Sequence, residues 1–309
     1  MTAYMDHKDL ANETIDVARA RQIADGVHDV LERIAAAEAA AGRKAGSVKL
    51  LAATKTRDVG EIMAAIDAGV RMIGENRPQE IVVKAPGLVR LLGERGFTVG
   101  CTADVPPVSL GASVPSGSAP VQASPAVAAA AASADETAHA DKCAALATHI
   151  PFHVIGQLQS NKISKVLPVV DGIESVDSIE LAEKIARRAT MRGVTVGVLL
   201  EVNESGEASK SGCAPSHAID LAQRIGSMGG LELQGLMTIG AHVDDENVIR
   251  AGFAHLRRTR DQILASGAQG TEHCTELSMG MTQDMALAIE EGSTIVRVGT
   301  AIFGERAFI

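Results

Sequence analysis

Residues 49–73 read KLLAATKTRDVGEIMAAIDAGVRMI, and this stretch holds one full repeat of the pattern that decides the fold. A short apolar run (49–53) is followed by a segment with apolar residues at helical spacing (59–68), and then by a second apolar run (70–73). Short apolar runs that alternate with amphipathic segments are typical of a parallel sheet covered by helices. The stretch therefore predicts an α/β fold.

The same pattern recurs to the end of the chain. The apolar runs are 49–53, 70–73, 152–155, 172–176, 194–202, 231–239, 275–279 and 294–298. The helix candidates between them include 59–68, 178–191, 216–228, 247–265 and 282–290. Eight strand candidates, most followed by a helix candidate, favour a closed (β/α)8 TIM barrel, and an open doubly wound sheet is the alternative.

Two segments lie outside this pattern. Residues 12–41 are predicted to form one amphipathic helix, preceded by a flexible N-terminus over residues 1–11. Residues 97–134 hold five of the ten prolines and a single charged residue, Asp104, and this composition predicts a disordered insertion. Without 1–11 and 97–134, 260 residues remain, close to the ~250 of a typical barrel. We therefore expect one domain over 12–309, interrupted at 97–134.

Composition excludes several classes of function. The 309 residues carry a net charge of −9 and include one tyrosine, Tyr4, and no tryptophan. Single-strand nucleic-acid binding needs basic grooves interleaved with aromatic residues, so a nucleic-acid partner is not expected. The N-terminus is charged where a signal peptide is apolar, and no apolar run approaches the ~20 residues of a membrane span. We expect a cytoplasmic protein with no membrane partner.

The cysteines give no sign of a metal site. Cys101, Cys143, Cys213 and Cys274 are far apart, and no CxxC pair exists. A zinc ribbon or a thioredoxin-type site is therefore not indicated, and free thiols are expected.

Lys55 is the candidate nucleophile of the first strand. Strand alternation places Leu51, Ala53 and Lys55 on one face, with Lys55 at the C-terminal rim, where barrels place their functional residues. A partly desolvated lysine favours the neutral amine, which attacks aldehydes to form a Schiff base. A surface lysine is the alternative from this strand alone.

The last two strands predict a phosphate site. Arg297 interrupts the β-branched run 294–298, and Gly299-Thr300 then opens a short helical stretch (301–306). The preceding strand ends in SMGMTQD (278–284), where Ser278 offers a hydroxyl. Barrels commonly bind phosphate after these two strands, beside a short extra helix. A phosphate site, an arginine and a Schiff-base lysine together fit pyridoxal 5′-phosphate (PLP).

Other strand ends carry less specific signals. His153 alternates with apolar residues on one strand face and is either a core histidine or a functional one. Met237 is read as a packing residue from its strand alone, and Lys210 is a second rim lysine or a solvated loop lysine.

These residues resemble the pyridoxal-phosphate homeostasis proteins (the YggS/PROSC family). The resemblance rests on LAATKT (51–56), IGEN (73–76), HVIGQLQSNK (153–162), SKSG (209–212), GLM (235–237), LSMGMTQD (277–284) and VRVGTAIFG (296–304). It covers residues 12–96 and 140–306. The chain departs from the family pattern in its insertion and at Arg77-Pro78, where an aromatic-led pair is more usual.

The resemblance implies a fold-type III PLP barrel like the N-terminal domain of alanine racemase. It implies that Lys55 carries PLP as an internal aldimine. Ser278, Gly299 and Thr300 are then expected to hold the phosphate, and Arg297 to face the pyridine nitrogen. The residues implied to line the ring are Asn76, His153 and Met237. The family is regarded as a non-enzymatic PLP carrier that regulates vitamin B6 pools, so PLP-dependent apo-enzymes are candidate partners.

The alternatives are a PLP-dependent amino-acid racemase and, less well supported, a Schiff-base aldolase on the same barrel. A racemase of this fold type needs a second base, usually a tyrosine from a partner subunit, and a C-terminal β-domain. Tyr4 is the only tyrosine, and the sequence shows no β-domain pattern before Ile309. We therefore expect a monomer that holds PLP without turnover of its own.

Overall fold

The computed structural model describes residues 8–100, 148–207 and 210–305, and most of them build a parallel barrel. The barrel strands are β1 (Lys49–Ala53), β2 (Ile73–Glu75), β5 (Phe152–Val154), β6 (Gly172–Val176), β7 (Val196–Glu201), β8 (Leu231–Met237), β9 (Glu276–Ser278) and β10 (Ile295–Val298). They close in the order β1-β10-β9-β8-β7-β6-β5-β2. A separate parallel pair is formed by β3 (Thr98–Val99) and β4 (His149–Ile150).

Helices follow most of the barrel strands. They are α1 (Val17–Ala40), α2 (Val59–Asp67), α3 (Pro78–Glu94), α4 (Ile163–Val166), α5 (Ile179–Arg192), α6 (Ala218–Gly226), α7 (Glu246–Ala265), α8 (Met285–Glu290) and α9 (Thr300–Phe303). Short 3-10 turns precede α4 and α6 at Ser160–Lys162 and Pro215–His217.

The predicted barrel is confirmed, because β1 and β10 pair in parallel and close the sheet. An open doubly wound sheet has two free edges and is therefore wrong for this chain. Each of the eight predicted runs overlaps one barrel strand. The largest shift is in β2, predicted at 70–73 and observed at Ile73–Glu75. An apolar run ends where polar residues begin, yet Gly74 pairs with Ala53 and Glu75 with Val154, so the strand continues past the run.

Apolar packing lies on both sides of the barrel wall. The larger core fills the space between the strands and the helices, and includes Val30, Ile62 and Val198. A small cluster inside the barrel consists of Leu51, Met72 and Ile295, with Ile155 packed against it. This cluster contains Leu51, as the alternation predicts, whereas the direction of Lys55, which lies beyond the end of β1, stays a prediction.

The N-terminal helix begins later than predicted. It runs over Val17–Ala40, and the Asp16 side chain caps it by accepting from the backbone N–H of Arg19 at 2.9 Å. Residues 1–7 of the predicted flexible N-terminus lie outside the described residues. Residues 8–11 pack on the barrel: Leu10 is buried, and its carbonyl accepts from the N–H of Val59 at 3.2 Å.

The predicted insertion lies mostly outside the described residues, which resume at Thr148 after Gly100. Residues 97–100 belong to the fold, because Thr98 and Val99 form β3. The pair β3–β4 is tied to the barrel by His149, whose two ring nitrogens lie 2.8 Å from Thr98 Oγ1 and 2.9 Å from Asp171 Oδ1. The one-domain division of the chain stays a prediction.

The described residues hold neither a membrane-spanning helix nor a cluster of metal-binding side chains. No helix in this part of the chain is long and apolar enough to cross a membrane. No group of three or more histidine, cysteine or acidic side chains here could hold a metal ion. Cys213 and Cys274 are buried free thiols, and burial raises the pKa of each to about 12.

Gly235 tests how tightly strands β8 and β9 pack in the barrel wall. A Cβ atom at Gly235 lies only 2.1 Å from the backbone oxygen of Glu276 on β9, so a strand must move to accept any side chain. We expect Gly235→Ala to lower the free energy of unfolding by about 1–3 kcal/mol, measured by urea denaturation. Gly229→Ala is the matched control, because nothing lies within 4 Å of its Cβ position. Equal stabilities of the two variants contradict this expectation.

Candidate functional site

The predicted site residues collect at one end of the barrel. In a parallel barrel the C-terminal ends of all strands face the same way. Lys55, Asn76, Gly299 and Thr300 follow the ends of their strands. His153, Met237, Ser278 and Arg297 lie within strands, in the buried interior below this mouth.

Lys55 is half-buried at the rim. It follows β1 by two residues, and α2 begins soon after it at Val59. The start of α2 is fixed by a capping box, in which Asp58 accepts from the N–H of Glu61 at 2.9 Å and Glu61 accepts from the N–H of Asp58 at 3.3 Å. The segment that carries Lys55 is therefore short and anchored at both ends.

Barrel closure brings the predicted phosphate turn next to this segment. Ala52 pairs with Val298, so Ala53 and Gly299 are neighbours at the rim. A Cβ at Gly299 lies 3.2 Å from the backbone oxygen of Ala53, a distance that leaves little space for a side chain. The helix α9 begins at Thr300, and the first N–H groups of a helix have no partner within it. The turn can therefore accept an anion close to Lys55.

A chain of buried polar side chains crosses the interior below the mouth. Nδ1 of His153 lies 2.8 Å from Glu174 Oε1, and the Ser278 hydroxyl donates to Glu174 Oε2 at 2.6 Å. Arg297 in turn donates to the Ser278 oxygen at 2.6 Å. Hydrogen bonding therefore links strands β5, β6, β9 and β10.

Hydrogen bonds and neighbouring charges keep Glu174 ionised in this row of buried side chains. Burial alone raises the pKa of Glu174, but the hydrogen bond and charge of His153, the charge of Arg297 and the hydrogen bond from Ser278 outweigh it, so the pKa falls below its usual value. Burial lowers the pKa of Arg297, while Glu174, Glu201 and Asp284 oppose this. An arginine keeps its proton in proteins despite such a shift.

Arg297 is fixed in direction as well as in charge. Besides the Ser278 hydroxyl, it donates to the backbone oxygens of Ser278 and Thr238, each at 2.7 Å. A guanidinium held by three acceptors from two neighbouring strands cannot rotate freely. It is a preorganised cation directly under the barrel mouth.

The structure shows the surroundings of three more predicted site residues. His153 is buried and bonded to Glu174, as a core histidine is. Met237 is buried and lies beside Ser278 on the adjacent strand. Asn76 is half-buried, and its backbone oxygen lies 2.4 Å from a Cβ position at Gly156, so it packs against the loop after β5. Ligand contacts of these residues stay predictions.

Two other predicted residues are engaged elsewhere. Ser278 uses its hydroxyl between Glu174 and Arg297, so a direct phosphate contact of that oxygen competes with an existing hydrogen bond. Lys210 pairs with Glu207 at 2.7 Å and lies in the loop after β7.

Sequence reasoning missed two interior carboxylates, Glu174 and Glu201. Both lie in apolar strands, at positions that strand alternation assigns to the barrel interior. This alternation is the sequence signal from which their inward direction could have been predicted. Burial raises the pKa of Glu201 to about 7, with the charge of Asp177 adding to the rise and Arg297 opposing it. Glu201 is therefore a carboxyl group that titrates near neutral pH beside the site.

Comparison with known proteins shows close relatives over most of the chain. The family described as alanine racemase, N-terminal domain, matches residues 29–307. A protein of Vibrio cholerae named pyridoxal phosphate homeostasis protein is 33% identical over 288 residues, which is 93% of this chain and 98% of that protein. A protein of the same name from Aquifex aeolicus is 31% identical, over 90% of this chain and 96% of its own.

Solved structures give the same picture. A protein of unknown function from Bifidobacterium adolescentis is 66% identical, with a TM-score of 0.80, and the match covers 96% of this chain and all of that one. PipY of Synechococcus elongatus, solved with PLP bound, is 27% identical, with a TM-score of 0.60, over 88% of this chain and all of PipY. Alanine racemase of Clostridium difficile is 12% identical, with a TM-score of 0.59, over 95% of this chain and 58% of the racemase, and shares the fold alone.

The raised pKa of Glu201 predicts a pH-dependent stability. The unfolded chain releases this proton near pH 4.5, whereas the folded protein keeps it up to about pH 7. The unfolded state binds fewer protons in between, so the free energy of unfolding falls as pH rises through this window. We expect Glu201→Gln to be more stable than the wild type at pH 8 by roughly 1–3 kcal/mol, and by less at pH 5.

Urea denaturation at the two pH values measures this difference. Asp177→Asn is an informative companion variant, because removing that charge lowers the pKa of Glu201 and weakens the pH dependence. A gain from Glu201→Gln that is the same at pH 5 and pH 8 contradicts the assignment.

Proposed function

We propose that this chain, which belongs to the pyridoxal phosphate homeostasis protein family, binds PLP at the barrel mouth, with Lys55 as the covalent attachment point. Its role is to hold and release PLP in vitamin B6 homeostasis, without turnover of substrate. One observation carries the proposal: barrel closure sets the Lys55 segment against the Gly299-Thr300 turn, with Gly299 in close contact with Ala53. An amine and an anion-binding turn are thereby adjacent, which a phosphorylated aldehyde requires.

The residues present fit PLP in their chemistry. The rim offers a lysine amine, the start of α9 offers backbone N–H groups, and Arg297 offers a fixed buried cation. Donors of this kind match an aldehyde, a phosphate and a ring nitrogen, respectively. PipY, a relative of the same fold, was solved with PLP bound.

Lys55 would hold PLP at the mouth, and PLP would supply an aldehyde group that reacts with a neutral amine. The protein's own residues then determine how the ligand sits. Gly299 and Thr300 bind the phosphate through the backbone at the start of α9, whereas a contact from Ser278 needs its hydroxyl to leave Glu174. Arg297 is held in one orientation and disfavours a second positive charge on a ring nitrogen beside it. Asn76, His153 and Met237 line the ring.

The interior offers poor support for racemisation. Moving a proton between the two faces of a substrate needs a base on each side of it. The described residues contain no tyrosine, and Tyr4 lies outside them. His153 is buried and its Nδ1 is bonded to Glu174, so that nitrogen is not free to take a proton from a substrate. Carrier function therefore fits the site better than racemase activity. PLP-dependent apo-enzymes as partners, a monomeric state and a cytoplasmic location stay predictions.

Lys55→Ala tests the attachment point. We expect the wild type to develop visible absorbance on addition of PLP, and borohydride to erase it with mass added at Lys55. Lys55→Ala removes the amine, so neither signal should form. Lys210→Ala is the matched control, because Lys210 is the second rim lysine, and it should keep both signals. Peptide mapping that finds the added mass on another lysine overturns the assignment.

A racemisation assay tests the absence of turnover. The PLP-loaded protein is incubated with single enantiomers of common amino acids, and enantiomeric excess is followed by chiral chromatography. We expect no change above that of free PLP with the Lys55→Ala variant. Robust conversion of any amino acid by the wild type favours the racemase alternative instead.

A further inference from the structure

A fully buried lysine lies behind the Lys55 segment. Lys84 on α3 donates from Nζ to Glu75 Oε2 at 2.5 Å and to Glu80 Oε2 at 2.9 Å. None of the three side chains is more than 1% exposed. Burying three ionisable groups carries a desolvation penalty, which raises the pKa of Glu75, and apolar residues of similar volume often stabilise a protein equally well. Stability alone therefore does not account for this cluster.

The cluster bonds directly to the backbone on both sides of Lys55. Lys84 Nζ donates to the backbone oxygen of Thr54 at 3.0 Å. Glu80 Oε2 accepts from the backbone N–H of Thr56 at 2.7 Å. The Thr54 carbonyl belongs to the peptide plane before Lys55, and the Thr56 N–H belongs to the plane after it. Fixing both planes fixes the two backbone dihedrals of Lys55, and with them the direction of its Cα–Cβ bond.

Thr56 adopts a backbone conformation that is unfavourable for its residue type. Its φ is +64°, and it is the one non-glycine with positive φ among the residues the structure describes. For a β-branched residue this conformation costs about 1–3 kcal/mol and persists only when the surroundings impose it. The hydrogen bond from Thr56 to buried Glu80 is such a constraint.

We propose that Glu80 and Lys84 are positioning residues that aim the Lys55 side chain at the aldehyde of bound PLP. This inference rests on the proposed function of Lys55. The two residues touch neither PLP nor the reacting atoms. They act through the backbone of Thr54 and Thr56, and Glu75 accepts a further hydrogen bond from Lys84.

Two substitutions of Glu80 separate positioning from packing. Glu80→Met keeps length and volume but removes the acceptor of the Thr56 N–H, whereas Glu80→Gln keeps an oxygen that can accept it. The readouts are the PLP dissociation constant, from visible absorbance, and the pH midpoint of that absorbance. We expect Glu80→Met to bind PLP at least about tenfold more weakly, with a shifted midpoint, and Glu80→Gln to stay within about threefold of the wild type, since misplaced reacting groups lose their advantage steeply.

Lys49→Met is the matched control. It breaks another largely buried ion pair, Lys49 with Glu276 at 2.7 Å, at the opposite end of the barrel. It should lower stability without changing the PLP dissociation constant or the pH midpoint. Wild-type affinity in Glu80→Met overturns the inference, as does an equal loss in Lys49→Met. If the wild type forms no adduct at Lys55, the proposed function fails instead.

A measurement on the unsubstituted protein covers the case in which Glu80→Met does not fold. Amide hydrogen exchange without PLP should show the Thr56 N–H strongly protected, although it lies between a strand and a helix. Exchange of the Thr56 N–H at the rate of an open loop overturns the inference, whatever the PLP dissociation constants of the variants are.

Discussion

Backbone hydrogen bonding between β1 and β10 joins two parts of the chain that are far apart in sequence, because Lys49–Ala52 pair with Ile295–Val298. Lys55 extends from the first of these strands, and the Gly299-Thr300 turn extends from the last. Neither element alone indicates a specific ligand, since rim lysines and Gly-Thr turns are common. Their pairing places the lysine segment beside the turn that starts α9, which is the arrangement that the proposed function uses. The glycine at position 299 belongs to the same constraint, because it lets the turn approach the backbone of Ala53.

Inside the barrel, polar and charged side chains are tolerated because each has partners. Glu174 is shared by His153 and Ser278, and Arg297 is held by Ser278 and Thr238. In the described part of the chain, no buried side-chain nitrogen or oxygen lacks a hydrogen bond. Satisfied networks of this kind are rigid and specify a single arrangement. Glu201 differs from Glu174, because its surroundings favour the neutral acid up to about pH 7.

Periodicity predicted the barrel well and its polar interior poorly. Strand spacing and alternation predicted all eight strands and the inward face of Leu51, since both depend on local chain geometry. The boundary of β2 was misplaced because Gly74 and Glu75 are held in the strand by partners on other segments, β1 and β5. The same cause hid Glu174, whose partners His153 and Ser278 lie on other strands. It also hid the bonds that Glu80 and Lys84 make to Thr56 and Thr54, on the segment after β1. From sequence alone, charged residues are predicted to face solvent, because their partners become apparent only in the fold.

The short parallel pair β3–β4 has a consequence for how this protein tolerates change. Parallel strands cannot be joined by a tight turn and need a connection of roughly a dozen residues or more. Gly100 and Thr148, the ends of that connection, lie near Asp171 at the start of β6, at the end of the barrel opposite Lys55. An insertion between these two residues therefore leaves and re-enters the barrel at the end opposite the candidate site. A change in the length of this connection does not alter the strand ends that carry Lys55 and Gly299.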